Sequence, residues 1–236
     1  MDADLSSPQQ LSFFAALLVA GYLTVRVIVP PNRTPRDERA WRADALWFAR
    51  SAFIINLAIL SSSALILYHA ALTALPPAAA ARVCPAPGQP NPALFRWSPV
   101  TAAAFLAVLA GAPLRMGAFS GLGKNFTFGL ARPSGLVTTG IYAQVQHPSY
   151  TGMWLVAVAS FAVFVRPDGA LACFVPPVYW PRVQAWAATL MVGAGLLVAQ
   201  QIATRVAQEE AMLKELFGKE WEAWHAKTKR FVPGLF

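Results

Sequence analysis

Residues 11–29 read LSFFAALLVAGYLTVRVIV, an apolar run broken by one charge, Arg26, near its end. An α-helix needs roughly 20 mostly apolar residues to cross a bilayer, and an Arg near the edge can extend its head group to water. The run is therefore read as a membrane span. Met1–Gln10 before it holds two acids and no base, unlike the positive start of a cleaved signal peptide, so the span is expected to be retained.

Four further runs follow the same rule. Trp47 to about Leu75 has Arg50 near its start and is long enough to tilt or project from the membrane. Ser98–Leu114 is closed by Arg115. Tyr150–Val165 is short and stops at Arg166-Pro-Asp168. Val183–Thr204 is rich in Ala and Gly. Leu171–Trp180 is too short to span and holds two consecutive prolines, so it is read as interfacial or re-entrant. The expected fold class is all-α: a polytopic membrane protein with about five transmembrane helices and a cytosolic C-terminal amphipathic helix. Composition agrees, because 13% charged residues is far below the roughly one quarter of a soluble domain.

Five spans put the termini on opposite sides. Arg33, Arg36, Arg39, Arg42, Arg115, Lys124, Arg132, Arg205, Lys214, Lys219, Lys227, Lys229 and Arg230 then share one side, against Arg82, Arg96, Arg166 and Arg182 on the other. The positive-inside rule makes the first side cytosolic. A net charge of +8 in such a chain reports topology and anionic lipid, and no nucleic-acid partner is expected. Cys84 and Cys173 both fall on the non-cytosolic side. A disulfide is allowed by compartment, but two unrelated buried thiols are the simpler expectation.

Polar residues concentrate in two stretches, 115–152 and 203–236. The glycines of the first match neither a dinucleotide nor a P-loop pattern, and GAGLL at 193–197 is better read as small residues permitting close helix packing. His147-Pro-Ser-Tyr150 sits where the fourth span begins. Pro148 suits a first helical turn and biases His147 out of it, beside free backbone N–H groups. The alternative is an interfacial His and Tyr belt. In the second stretch Leu213, Phe217, Trp221 and Trp224 share a helical face, and Glu210–Lys214 and Glu215–Lys219 stand at i,i+4. Glu215, Glu220 and Glu222 read as a solvated face. Arg205, Glu209 and Glu210 lie about a turn past the last span, where ionisable groups are functional candidates, and Glu209 shares a face with Arg205 and is placed to orient it. No metal-ligand spacing and no Ser-His-Asp arrangement is present, so no metal is expected.

At these two stretches the sequence resembles the isoprenylcysteine carboxyl methyltransferase family of integral membrane enzymes. The residues are Leu122-Gly-Lys-Asn-Phe-Thr127, Leu136-Val-Thr-Thr-Gly-Ile-Tyr142, His147-Pro-Ser-Tyr-Thr-Gly152, Arg205, Glu209-Glu210, Leu213, Phe217-Gly218 and Val232-Pro233. They cover roughly the C-terminal half of the chain, which divides the expectation into three N-terminal spans (1–114) and a catalytic region (115–236). The resemblance implies S-adenosyl-L-methionine as cofactor, held by Gly140, Tyr142, His147, Pro148, Tyr150 and Gly152 on one wall and Glu209 and Glu210 on the other. It implies a prenylated protein C-terminus or prenylcysteine as partner, membrane lipid around it, and an endoplasmic reticulum address with the catalytic face cytosolic. The implied reaction is methylation of the C-terminal carboxylate, with Arg205, Gln146 and Glu209 as catalytic candidates. The family usually has Arg where Gln146 stands. If that Arg orients a carboxylate, Arg205, Arg115 or Lys124 must substitute, or the substrate differs. Competing readings are a phospholipid amine, small thiol or phenol as acceptor, a sterol or enone reductase, and a transporter subunit. The clustering of polar residues at one membrane face argues against transport, which favours mid-bilayer sites.

Overall fold

The computed structural model describes residues 7–32, 44–46, 48, 51–85 and 90–234; Arg33, Arg36, Arg39, Arg42, Trp47 and Arg50 lie outside them. Its elements are α1 (Pro8–Ile28), α2 (Ala52–Ala74), a short α3 (Pro77–Val83), α4 (Pro99–Leu122), α5 (Pro148–Ser160) and α6 (Trp180–His225). Among the described residues five stretches are helical, long and apolar enough to cross a membrane, in the order the sequence predicts. Among the described residues no strand forms. Leu60, Leu106, Leu190 and Leu197 are each more than 60% exposed. Side chains of that kind around a helix call for a hydrocarbon surround, so this is an integral membrane protein.

Helix starts follow local chemistry. Ser98 caps α4 reciprocally, its Oγ accepting from the Thr101 N–H (3.3 Å) while its own N–H donates to Thr101 Oγ1 (2.9 Å). Pro99 and Pro148 occupy the first positions of α4 and α5, where no N–H is needed. Three expectations shift. The third span does not close at Arg115: α4 runs on to Leu122 with Pro113 inside it, leaving Arg115 buried. The fourth leaves α geometry at Ser160 and finishes as a π turn, Phe161–Val165. At 193–197 a side chain on Gly193 or Gly195 would meet nothing. The close approach is instead at Gly152, where a Cβ would stand 2.5 Å from the Gly111 carbonyl oxygen on α4.

The chain forms two compact units, each drawn from three segments. One comprises Met1–Arg26, Ile59–Ala110 and Leu155–Ala194. Its core joins Phe13, Leu17, Ile66, Ala70, Val108 and Phe164. A second cluster holds Leu72, Leu94, Phe95 and a disulfide between Cys84 and Cys173, with Cα atoms 4.6 Å apart. This corrects the reading of two unrelated thiols: the 3₁₀ turn Ala170–Phe174 brings Cys173 to the end of α3.

The other unit comprises Val27–Ala58, Gly111–Trp154 and Gly195–Phe236. In it α6 runs unbroken from span to tail as far as Gly218, whose φ of +48° ends the regular helix. That conformation is open to glycine and costly for other residues. Neither expected i,i+4 pair forms among the described residues. Lys214 meets Glu222 (3.1 Å), eight residues on, and Glu210 turns to Arg230.

Candidate functional site

All the groups below lie in the second unit. Just after the 3₁₀ turn Gly140–Ala143, Val145 forms an isolated parallel bridge with Lys229 in the tail. The Gln146 N–H donates to the Lys229 carbonyl (2.8 Å) and the His147 N–H to the Arg230 carbonyl (2.8 Å), while the Lys229 N–H returns to Gln144 (3.1 Å). Trp224 Nε1 donates to the Tyr142 carbonyl (2.7 Å). Pro148 then starts α5, and Tyr150 rises on its first turn.

Opposite stands the end of α6. Tyr150 Oη donates to Glu209 Oε1 (2.9 Å), which also accepts from Arg205 Nε (3.1 Å) at the expected i,i+4 spacing. His147 lies between the two acids, Nδ1 at 3.5 Å from Glu209 and Nε2 at 3.3 Å from Glu210. Arg230 holds Glu210 with both ends of its fork, at 2.8 and 2.9 Å. Arg205 is 1% exposed, and its Nη1 donates to Asp44 Oδ1. Asp44 is itself buried and accepts from the Leu46 N–H (2.9 Å) and the Leu130 N–H (2.8 Å). One carboxylate thus joins Arg205 to two loops.

Burial alone would lower the pKa of the His147 imidazole. The hydrogen bonds and charges of Glu209 and Glu210 more than offset that, and it is raised above 6.5. Tyr142 is pushed up by burial and by the charge of Glu209, with Arg115 opposing. The Arg230 guanidinium is raised by its hydrogen bonds to Glu210.

Of these groups Tyr142, Gln146, His147, Tyr150, Arg205, Glu209 and Trp224 border a cavity of about 440 Å³. Its long wall is apolar, including Phe126, Phe128, Leu130, Leu136, Leu197 and Ile202. Its polar residues include Arg115, Gln146, His147, Tyr150, Arg205 and Glu209. Of the residues singled out in the sequence, Tyr142, Gln146, His147, Pro148, Tyr150, Arg205 and Glu209 line it. Gly140, Gly152 and Glu210 stand outside the wall. Gly140 has φ +60° at the start of its turn, Gly152 packs on α4, and Glu210 acts on His147. Gln146 is directed away from the expected task. Its amide nitrogen donates to Thr228 Oγ1 (2.9 Å), and its oxygen faces His225 Nδ1 (2.9 Å). Lys124 is exposed and outside the wall.

Sequence reasoning missed Asp44, Trp224 and Arg230. Asp44 alone carried a signal, an acid just before an apolar run in an Arg-rich stretch.

No curated protein and no solved structure matches the chain. Residues 103–180, about a third of it, match the model of the isoprenylcysteine carboxyl methyltransferase (ICMT) family, a match that takes in His147–Gly152 and stops short of Arg205. That match supports the membership the motifs imply, in the ICMT family of membrane methyltransferases.

Proposed function

We propose that the chain transfers a methyl group from S-adenosyl-L-methionine to the C-terminal carboxylate of a prenylated cysteine. The observation that carries this is the cavity itself: a largely apolar wall with one acid, Glu209, tyrosines, and two arginines among its other residues. A prenyl chain matches the first part and a zwitterionic, cationic cofactor the second. The donor set fits the cofactor, since Glu209 offers a carboxylate to ribose hydroxyls or an ammonium, and Tyr142 and Tyr150 offer aromatic surface to adenine and the sulfonium.

When bound, S-adenosyl-L-methionine supplies an electrophilic methyl on sulfur. A new O–CH₃ bond forms as the S–CH₃ bond breaks, the bonding pair leaves on a neutral thioether, and no proton moves. A carboxylate is already ionised at pH 7. The enzyme's own part is to align the two partners and exclude water. Both ring nitrogens of His147 face carboxylates, and Glu209 is held by Tyr150, Arg205 and His147. Neither is free to take a proton, which favours a carboxylate acceptor over a phospholipid amine. In this reading Tyr142, His147, Pro148, Tyr150 and Glu209 touch the cofactor. Arg205 and Gln146 act as positioning residues, the first by holding Glu209 and Tyr150, the second by clasping the tail. Gly140, Gly152 and Glu210 support the wall from outside.

We place the protein in the endoplasmic reticulum membrane, with the catalytic face and C-terminus cytosolic. The charge distribution supports that orientation, as does a disulfide between the two loops assigned to the opposite, oxidising side.

The test is methyl transfer by purified protein in detergent or lipid. Labelled S-adenosyl-L-methionine is offered with N-acetyl-farnesylcysteine, beside phosphatidylethanolamine and a His147→Ala variant. A base-labile ester formed by wild type alone is the expected result. Cofactor binding with label appearing only in the phospholipid would refute the acceptor, and no cofactor binding by folded protein would refute the methyltransferase.

A further inference from the structure

We propose that the tail beyond α6 is a docking surface for anionic phospholipid, built on Lys227 and Lys229, and that lipid seated there holds the tail against the start of α5.

The depth of these lysines is fixed by backbone hydrogen bonds. The Lys229 carbonyl accepts from the Gln146 N–H (2.8 Å), and its N–H donates to the Gln144 carbonyl (3.1 Å). Gln146 stands two residues before Pro148, where α5 begins as a membrane-spanning helix. The Thr151 hydroxyl donates to the Phe231 carbonyl (2.9 Å), so the tail continues along the first turn of that span. A span starts where hydrocarbon gives way to head groups, and chain bonded to its entrance lies at that level. Lys124 and Arg132, in the connection from α4 to α5, are exposed on the same side of the bilayer.

Charge at this level has one sign. Lys227 and Lys229 are exposed, and among the described residues no carboxylate lies within ion-pair distance of either. Positions 111–154 and 223–236 hold no acid at all. Among the described residues the exposed acids of this unit are Glu215, Glu220 and Glu222, all on α6, and Glu222 is taken by Lys214. Arg230 is spent on Glu210, which leaves the two lysines as the free charge of the tail. Val232, 39% exposed, follows them closely. Cations beside an exposed apolar side chain suit a lipid interface, where the first meet phosphates and the second enters between head groups. An anionic leaflet favours each such cation by about fivefold in population, so two give up to about 30-fold. A tail already laddered to 144–146 presents both lysines without further ordering, so lipid favours the docked tail over a detached one.

This surface needs no particular acceptor in the cavity, and its test does not depend on turnover. Hydrogen exchange of the Gln146, His147 and Lys229 amides, which donate the ladder, is followed on full-length protein in nanodiscs of phosphatidylcholine with and without phosphatidylglycerol. Wild type is expected to exchange these amides about 3- to 30-fold more slowly with phosphatidylglycerol present, and high salt should erase the gain. The double variant Lys227→Gln, Lys229→Gln should bring that ratio near one, while Lys227→Arg, Lys229→Arg should keep it. If the glutamine double variant does not fold by thermal melting, Lys227→Gln alone carries the test, with a smaller loss. Equal exchange of wild type in the two lipids overturns the proposal. So does a gain that survives in the folded glutamine variant or disappears in the arginine variant. Equal protection by inorganic phosphate in phosphatidylcholine alone overturns lipid as the occupant.

Discussion

Asp44→Asn removes one charge from the centre of the site at almost constant volume. The Asp44 side chain is fully buried and receives three donors, Arg205 Nη1 and the Leu46 and Leu130 amides. An asparagine has one oxygen for those donors and turns its NH₂ toward a remaining N–H. Removing one member of a buried pair costs about 3–5 kcal/mol. Glu209 still balances Arg205, which places the cost at the lower end, about 3 kcal/mol. For a chain of this size each kcal/mol moves the melting midpoint by about 2–4 °C, so Asp44→Asn should melt about 6–12 °C below wild type. Tryptophan fluorescence during heating in detergent reads this directly, with eight tryptophans in the chain. The double variant Asp44→Leu, Arg205→Met removes both charges of this contact, leaves Glu209 to Tyr150 and His147, and should melt above the sum of its two singles. A single variant melting within about 1 °C of wild type, or strict additivity in the double, would refute the idea that this pair organises the site.

Three further outcomes are expected. His147 has a raised pKa in the fold, so its contribution to stability is complete below about 6.5 and is lost as pH rises through the raised value. The melting gap between wild type and His147→Gln should therefore narrow with rising pH, and a constant gap from pH 6 to 9 would contradict it. Gly152→Val should destabilise by about 1–3 kcal/mol, because the added atoms meet backbone of α4 and not the end of a flexible side chain. Thermal melts compare it with Gly193→Val, where open space makes the change near neutral. Loss of the disulfide in Cys84→Ser, Cys173→Ser should cost about 2–4 kcal/mol, since it closes a long loop, and thiol labelling of wild type should require prior reduction.

What the sequence disclosed follows from range. The five apolar runs, Pro148 at a helix start and the Arg205–Glu209 pair are local facts, set by composition or by one turn of helix. Asp44 finds Arg205 across 161 positions, and Cys84 finds Cys173 across 89. No period or propensity carries such information. Glu210 shows the same limit from the other side. Helical spacing pairs it with Lys214, but Gly218 ends the regular helix, and the returning tail offers Arg230 with two parallel hydrogen bonds instead. The sequence puts Arg115 at the end of a span because charge closes spans. Close contact at Gly152 and neutral acceptors at Val27 and Ser149 hold it inside one.

The backbone ladder between 144–147 and 229–230 ties the edge of the cavity to a short piece of chain beyond α6. Arg230, carried on that piece, fixes Glu210 beside His147. A single proteolytic cut between His225 and Lys229 would therefore loosen the site while leaving every residue of the cavity wall in place.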